Sequence, residues 1–99
     1  MSEIDIQRQI TDWLTLAGIF WWRVSLGAVK HGGTLKKNPM AGHPDIAGLL
    51  PGGRYFTVEV KDKGGRYSQA QLDWALRLQQ NGAIYITATS LEEVRERLG

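Results

Sequence analysis

The stretch from Pro44 to Lys61 leaves this chain few ways to fold. It reads Pro44-Asp45-Ile46-Ala47-Gly48-Leu49-Leu50, then a Pro51-Gly52-Gly53 turn, then Arg54-Tyr55-Phe56-Thr57-Val58-Glu59-Val60-Lys61. After the turn Phe56, Val58 and Val60 fall on one side, and Tyr55, Thr57, Glu59 and Lys61 on the other. That alternation is the mark of a half-buried strand. The residues before the turn are apolar enough for a partner strand, and the turn itself suits a hairpin. In an antiparallel hairpin Asp45, opening one strand, lies beside Glu59 and Lys61 near the end of the other. Two carboxylates and an ammonium then converge at one rim of a sheet. Oxygen donors of this kind suit Mg²⁺ or Mn²⁺. Glu-x-Lys on a strand face is also commonplace, and Asp after Pro often merely starts a strand. Spacing alone therefore leaves a structural reading beside a catalytic one.

The flanking segments supply the other elements. Ser2 to Ala17 predicts a helix: Ser2 can cap it, Glu3 and Asp5 complement its dipole, and Ile6, Ile10, Trp13, Leu14 and Ala17 form one apolar stripe before Gly18. Ile19 to Val24 predicts a buried strand in which Trp21 and Trp22 face opposite sides, one towards the core and one towards an interface. Ser25 to His43 is irregular, with Gly27, Gly32, Gly33 and Gly42 interleaved with Lys30, His31, Lys36 and Lys37. A loop of this length is usually functional or disordered; its glycines permit close approach of a ligand and its lysines neutralise phosphate. His31 and His43 can be general bases, metal ligands or plain loop residues, and neither has a partner at zinc-ligand spacing. Asp62 to Tyr67 is a second basic, glycine-containing turn. Gln69 to Gln80 predicts a helix with Leu72, Ala75, Leu76 and Gln79 on one side, Trp74 and Leu78 off it, and Asn81-Gly82 as its stop. Its apolar arc is wide enough either for deep burial or for cover by a second protomer. Ala83 to Ala88 alternates like a strand, and Ser90-x-x-Glu93 predicts a capping box opening a short helix through Leu98. The order is αβββαβα. A strand–helix–strand crossover favours one parallel pair in an otherwise antiparallel sheet, so the expectation is an α/β fold with a mixed central sheet, flanking helices and a short C-terminal helix.

A chain of 99 residues predicts one domain, 1–99, with a single modest core. No apolar run approaches a membrane span, and the N-terminus lacks the basic-then-apolar pattern of a signal peptide. The sequence has no cysteine, which excludes disulfides, thiolate metal sites and cysteine nucleophiles and fits a cytoplasmic setting. The net charge of +2 is mild, and its placement in the two glycine-rich segments is more informative than its size. No repeat or low-complexity tract is present.

Pro44-Asp45 followed by Glu59-x-Lys61 resembles the PD-(D/E)XK nuclease superfamily. Within it the chain resembles a stand-alone virus-type replication-repair (VRR) nuclease domain. Glu3 stands ahead of an Ile6-Gln7 pattern on the first helix, and Ser68-x-x-Gln71-x-x-Trp74 follows Glu-x-Lys on the second. The element order agrees with the superfamily's restriction-endonuclease-like αβββαβ core, so the likeness covers nearly the whole chain. The resemblance implies a metal-dependent phosphodiesterase, a structure-selective DNA endonuclease similar to Holliday-junction resolvases. Asp45 and Glu59 would hold Mg²⁺ or Mn²⁺, with the Val60 carbonyl and Glu3 as further ligands. Lys61 would position a water or stabilise charge, and Gln71 would orient Lys61 or a water. Lys36, Lys37, Gly42, Lys63 and Arg66 are candidate DNA-backbone contacts. A small domain with surplus tryptophans suggests a C2 homodimer, which would suit paired incisions across a junction. A phage or prophage setting in a bacterial host is also implied. Flap cleavage, duplex nicking, a noncatalytic DNA-binding module and a small protein-interaction domain are the rival readings.

Overall fold

A computed structural model describes residues 1–24, 29–31, 34–36 and 40–99. Helix α1 (Glu3–Leu16) is followed by β1 (Phe20–Arg23), β2 (Val29–His31), β3 (Thr34–Lys36), β4 (Ile46–Leu49), β5 (Tyr55–Val60), α2 (Gln69–Gln80), β6 (Ile84–Ala88) and α3 (Leu91–Leu98). Four strands make one mixed sheet in the order β1-β4-β5-β6, and β2 and β3 pair as a separate ribbon. The β1–β4 and β4–β5 pairs are antiparallel, whereas β5–β6 is parallel. The α/β class and the single parallel pair therefore match the expectation. The ribbon does not: residues read as irregular loop contain two short strands. Three-residue strands are too short to establish a period in sequence.

The Pro51-Gly52-Gly53 turn joins β4 to β5 as expected. Gly53 N–H donates to the Leu50 carbonyl at 2.9 Å, and both Gly52 and Gly53 have positive φ. That conformation strains any residue with a Cβ. The hairpin register pairs Ile46 with Val58 and Gly48 with Phe56. At Gly48 the backbone lies so close to its neighbours that a Cβ would fall 2.3 Å from the Phe20 carbonyl oxygen and 2.4 Å from the Phe56 ring.

Phe56, Val58 and Val60 meet Ile84, Ile86 and Ala88 of β6 and Ile6, Ile10, Leu14 and Val94 of the helices in one buried core. Helices α1 and α3 thus cover one face of the sheet. The opposite face of β5 is also covered, by α2 and the 40–43 turn, so Thr57 and Glu59 are buried and the strand is not half-exposed. Alternation located the two faces correctly but could not reveal a lid over the polar one. Helix α2 is turned differently from its sequence reading. Leu72 and Leu76 are half-exposed, while Gln71, Trp74, Ala75 and Leu78 face the protein. Two anchoring bonds outweigh the aliphatic stripe: Gln71 reaches Glu59, and Trp74 Nε1 donates to the Ala41 carbonyl at 3.1 Å.

The helix starts follow the sequence in part. Ser2 and Ser68 close capping boxes with Asp5 and Gln71. Ser90 makes no cap bond to the backbone; instead Glu93 accepts from the Thr89 hydroxyl at 2.7 Å, and also from Thr89 N–H and the Ser90 hydroxyl. Trp21 and Trp22 do point to opposite faces. Trp21 packs on the core and donates to Thr15 Oγ1, while Trp22 lies against Phe20 and Tyr55. No helix among the described residues is long and apolar enough to cross a membrane.

Gly48→Ala should cost at least about 2 kcal/mol, because the new methyl must displace backbone or a packed ring. Urea unfolding measures this, and a midpoint equal to wild type would show that β4 and β5 separate more easily than the packing implies.

Candidate active site

The β4–β5 register builds the site. Because Ile46 opposes Val58, the next pair outward is Asp45 and Glu59. Directly opposed residues project from the same face with Cβ atoms roughly 5 Å apart. Pro44 and Ile46 are buried on either side of Asp45, and the Asp45 carbonyl accepts from Val24 N–H at 2.8 Å. The backbone that carries this carboxylate is therefore held from both sides.

Glu59 is the most constrained group. It is 5% exposed. Its Oε1 accepts from Gln71 Nε2 at 2.6 Å and lies 3.8 Å from Lys61 Nζ. Its Oε2 is buried and has no hydrogen-bond partner among the described residues. Burial pushes the Glu59 carboxyl up to about 7, and the charge of Asp45 adds to the rise; Lys61 and the Asp45 amide pull the other way, with a further small push from Glu3. Lys61 also lies over the Tyr67 ring, 5.2 Å from its centroid, a favourable cation–π placement. Burial raises the Tyr85 hydroxyl as well, with the Glu59 charge contributing.

Gln71 does two things with one amide. Its Oε1 accepts from Ser68 N–H at 2.8 Å while its Nε2 holds Glu59. Sequence reading assigned it to Lys61 or a water; the structure gives it to Glu59. On the other carboxylate Gln7 plays the matching part, donating Nε2 to Asp45 Oδ2 at 3.0 Å. Gln7 is itself held by Arg23 Nη1, which donates to Gln7 Oε1 at 2.9 Å. Neither Gln7 nor Arg23 was singled out as a site residue, although Gln7 lies one turn beyond Glu3 on the same helix face. His43, which the sequence leaves open between general base, metal ligand and loop residue, is placed by its contacts. Its ring is buried, with Nδ1 2.7 Å from the Pro44 carbonyl and Nε2 3.0 Å from the Tyr55 hydroxyl. A carbonyl can only accept, so Nδ1 carries a proton and donates to Pro44, and Nε2 shares a hydrogen bond with the Tyr55 hydroxyl. The ring also packs edge-on against Trp74, with centroids 4.9 Å apart.

The remaining candidates are more dispersed. Glu3 is half-buried in the first turn of α1, close enough for its charge to act on Glu59. Among the described residues no three His, Cys, Asp or Glu side chains cluster as a metal cage, so the carboxylate set at the centre is the Asp45–Glu59 pair. Val60 is buried beside it. Gly42 has a positive φ, and a Cβ there would lie 2.5 Å from the Ala70 backbone; the docking of the 40–43 turn on α2 thus explains this glycine independently of any ligand. Lys63 and Arg66 are exposed on the turn after β5. Lys36 ends β3, and Lys37 lies outside the described residues.

A Mg²⁺ or Mn²⁺ ion fits this donor set. Mg²⁺ binds through one or two carboxylates and keeps several of its waters. Here a buried carboxylate oxygen has no hydrogen-bond partner among the described residues and a second carboxylate stands beside it, with Lys61 the ammonium paired to Glu59. The oxygen without a hydrogen-bond partner among the described residues is the one such an ion would take.

The family model of the VRR-NUC domain matches residues 1–91. The chain belongs to the VRR-NUC domain family. Two solved structures share the fold. One, titled "VRR_NUC domain", aligns with a TM-score of 0.71 at 22% identity over 97% of this chain and 94% of that one. The other, titled "VRR_NUC domain protein", gives 0.68 at 18% identity over 100% and 91%. A comparison with curated proteins found no match. Membership of the VRR-NUC family makes this a nuclease domain, with DNA as its substrate.

Glu59 offers a direct test. Its carboxyl is raised from the ordinary 4.5 to about 7 in the fold. Between those values the unfolded chain releases the proton first, so this group lowers stability as pH rises through the window, and the loss is complete above pH 7. Glu59→Gln should therefore melt higher than wild type at pH 8 in the presence of a chelator, by on the order of 2 kcal/mol after screening. The difference should vanish near pH 4. Parallel melting curves across pH would show that Glu59 titrates like an exposed carboxylate.

Proposed function

We propose that this chain is a metal-dependent, structure-selective DNA endonuclease of the Holliday-junction-resolving kind, active as a C2 homodimer. The observation that carries the catalytic part is the buried Oε2 of Glu59, without a hydrogen-bond partner among the described residues, beside Asp45 and Lys61. Phosphodiester hydrolysis needs an activated water, relief of charge on the phosphoryl oxygens and a proton for the leaving oxygen. When bound, Mg²⁺ or Mn²⁺ supplies Lewis acidity towards those oxygens and lowers the pKa of a coordinated water. Asp45 and Glu59 would hold it, with the Val60 carbonyl and Glu3 as outer candidates.

The protein's own groups do the rest. Gln71 fixes Glu59 through Oε1, while Oε2 stays buried without a partner among the described residues. Gln7 takes Asp45 Oδ2 and leaves Oδ1 free of hydrogen bonds from the described residues. Lys61, held between Glu59 and the Tyr67 ring, presents positive charge where the phosphoryl group gains negative charge. Lys63 and Arg66, exposed one turn further on, would meet the DNA backbone, together with Lys36, Lys37 and the backbone at Gly42. Support for a dimer comes from the surface of α2, where Leu72 and Leu76 are 50% and 56% exposed. A patch of this kind on a small domain is a reasonable seat for a second copy.

Asp45→Asn and Glu59→Gln should each reduce Mg²⁺-dependent cleavage of a labelled four-way junction by about a thousandfold or more, and Lys61→Ala by about a hundredfold, with circular dichroism unchanged. Full activity in Asp45→Asn would remove the mechanism. A panel of junctions, flaps and duplexes assayed together decides the substrate, because preferential cutting of flaps or nicking of duplex would replace the junction assignment. Multi-angle light scattering at micromolar concentration should return twice the chain mass for wild type and a single chain for Leu72→Glu/Leu76→Glu. Wild type running as a monomer would rule out the dimer.

A further inference from the structure

A groove opens at the far end of α2, on the same side of the sheet as Glu59. It encloses about 450 Å³ and is lined by Arg54, Tyr55, Trp74, Arg77 and Leu78, with the turn after α2 closing one end. Among the described residues no carboxylate lines it. Arg54 is anchored by Nε, which donates to the Gly82 carbonyl at 3.4 Å. The rest of its guanidinium, and all of Arg77's, forms no hydrogen bond or ion pair with the described residues. The position of Arg77 near the C-terminus of α2 suits the helix dipole, but that does not account for Arg54 facing the same cavity from another element.

The rings in the groove are held firmly. Trp74 is tied to the Ala41 carbonyl and packed against His43, and Tyr55 is bonded through its hydroxyl to His43. Aromatic faces beside uncompensated guanidinium groups are the chemistry that receives a nucleotide. The base stacks on a ring, and the phosphate takes the forked N–H donors of arginine. The cavity is large enough for one such unit. Tyr55 precedes Glu59 by four residues on one strand and shares its face. The groove therefore lies about 13 Å from the carboxylate at roughly 3.3 Å per residue, a few nucleotides along a DNA axis at about 3.4 Å each.

We propose that this groove seats an unpaired nucleotide of the DNA substrate away from the scissile bond, with Arg54 and Arg77 on its phosphate and Tyr55 and Trp74 on its base. The proposal rests on the DNA-nuclease reading above and deepens it. A paired base cannot enter such a groove, so the contact selects DNA whose bases are locally unstacked, as at a branch point or strand end.

Fluorescence anisotropy with labelled DNA in Ca²⁺ tests this, using wild type, Arg54→Gln/Arg77→Gln, and Arg95→Gln/Arg97→Gln. The last pair removes equal charge from α3, on the other face of the sheet. Binding of a branched or partly single-stranded DNA should weaken tenfold or more in the groove variant, and the slope of log K against log salt should fall by about one. The α3 variant should bind within threefold of wild type and cut normally. A fully paired duplex should lose less affinity than the branched DNA in the groove variant. Arg77→Gln alone removes no bond of the fold and should show at least a threefold loss, which guards against misfolding as the cause. Equal losses in the two double variants, equal losses for branched and duplex DNA, or wild-type binding by the groove variant would each overturn the assignment. If wild type cuts DNA while the groove variant binds normally, only the groove assignment falls. If wild type neither binds nor cuts any DNA, the enzyme reading falls and takes this one with it.

Discussion

The register of β4 against β5 is the constraint on which everything else in the molecule depends. With Ile46 opposite Val58, Asp45 and Glu59 share a face at the open end of the hairpin. A slip of one residue would send Glu59 towards the α1–α3 core and bring Val58 and Val60 to the polar side. Two features prevent it. The turn has a fixed length and two positive-φ glycines, and the apolar side of β5 is matched residue by residue by Ile84, Ile86 and Ala88. Packing on the side away from the site thus positions the carboxylates.

The charge balance at the site is unequal. Asp45 and Glu59 stand together with Glu3 near enough to matter, and Lys61 is the ammonium paired with Glu59. The groups that orient the two carboxylates, Gln7 and Gln71, are amides. An amide fixes direction without neutralising charge, whereas arginine in either place would have satisfied the carboxylate and depressed its pKa. The outcome is a Glu59 whose proton is held near neutrality, a perturbation of the kind that accompanies functional sites. Under the proposed chemistry this unmet negative charge is what a divalent cation would answer.

Much of this was legible in the chain, for identifiable reasons. The Pro44–Lys61 hairpin, the Ser2 cap of α1 and the opposed tryptophans depend on local patterns with strong physical signals, and the parallel β5–β6 pair follows from the strand–helix–strand order. Three features were hidden. The orientation of α2 was misread because Leu72 and Leu76 make a convincing stripe; the bonds that turn the helix, from Gln71 and Trp74, involve residues over ten positions away. Burial of Thr57 and Glu59 depends on the 40–43 turn lying across β5, which strand alternation cannot show. The parts played by Gln7, Arg23 and His43 exist only across elements. Gln7 meets Asp45 over a separation of 38 residues, and no periodicity encodes such a meeting.

The single amide of Gln71 links two processes that could have been separate. One end completes the cap on α2, and the other grips Glu59. Nucleating the first turn of a helix is its costly step, and here that step also sets the aim of a carboxylate. Fraying of α2 from its N-terminus therefore cannot happen without releasing Glu59, and a cation bound at Glu59 would stiffen the amide protons of residues 68–72. The ordering of one helix end and the readiness of the site form one cooperative unit.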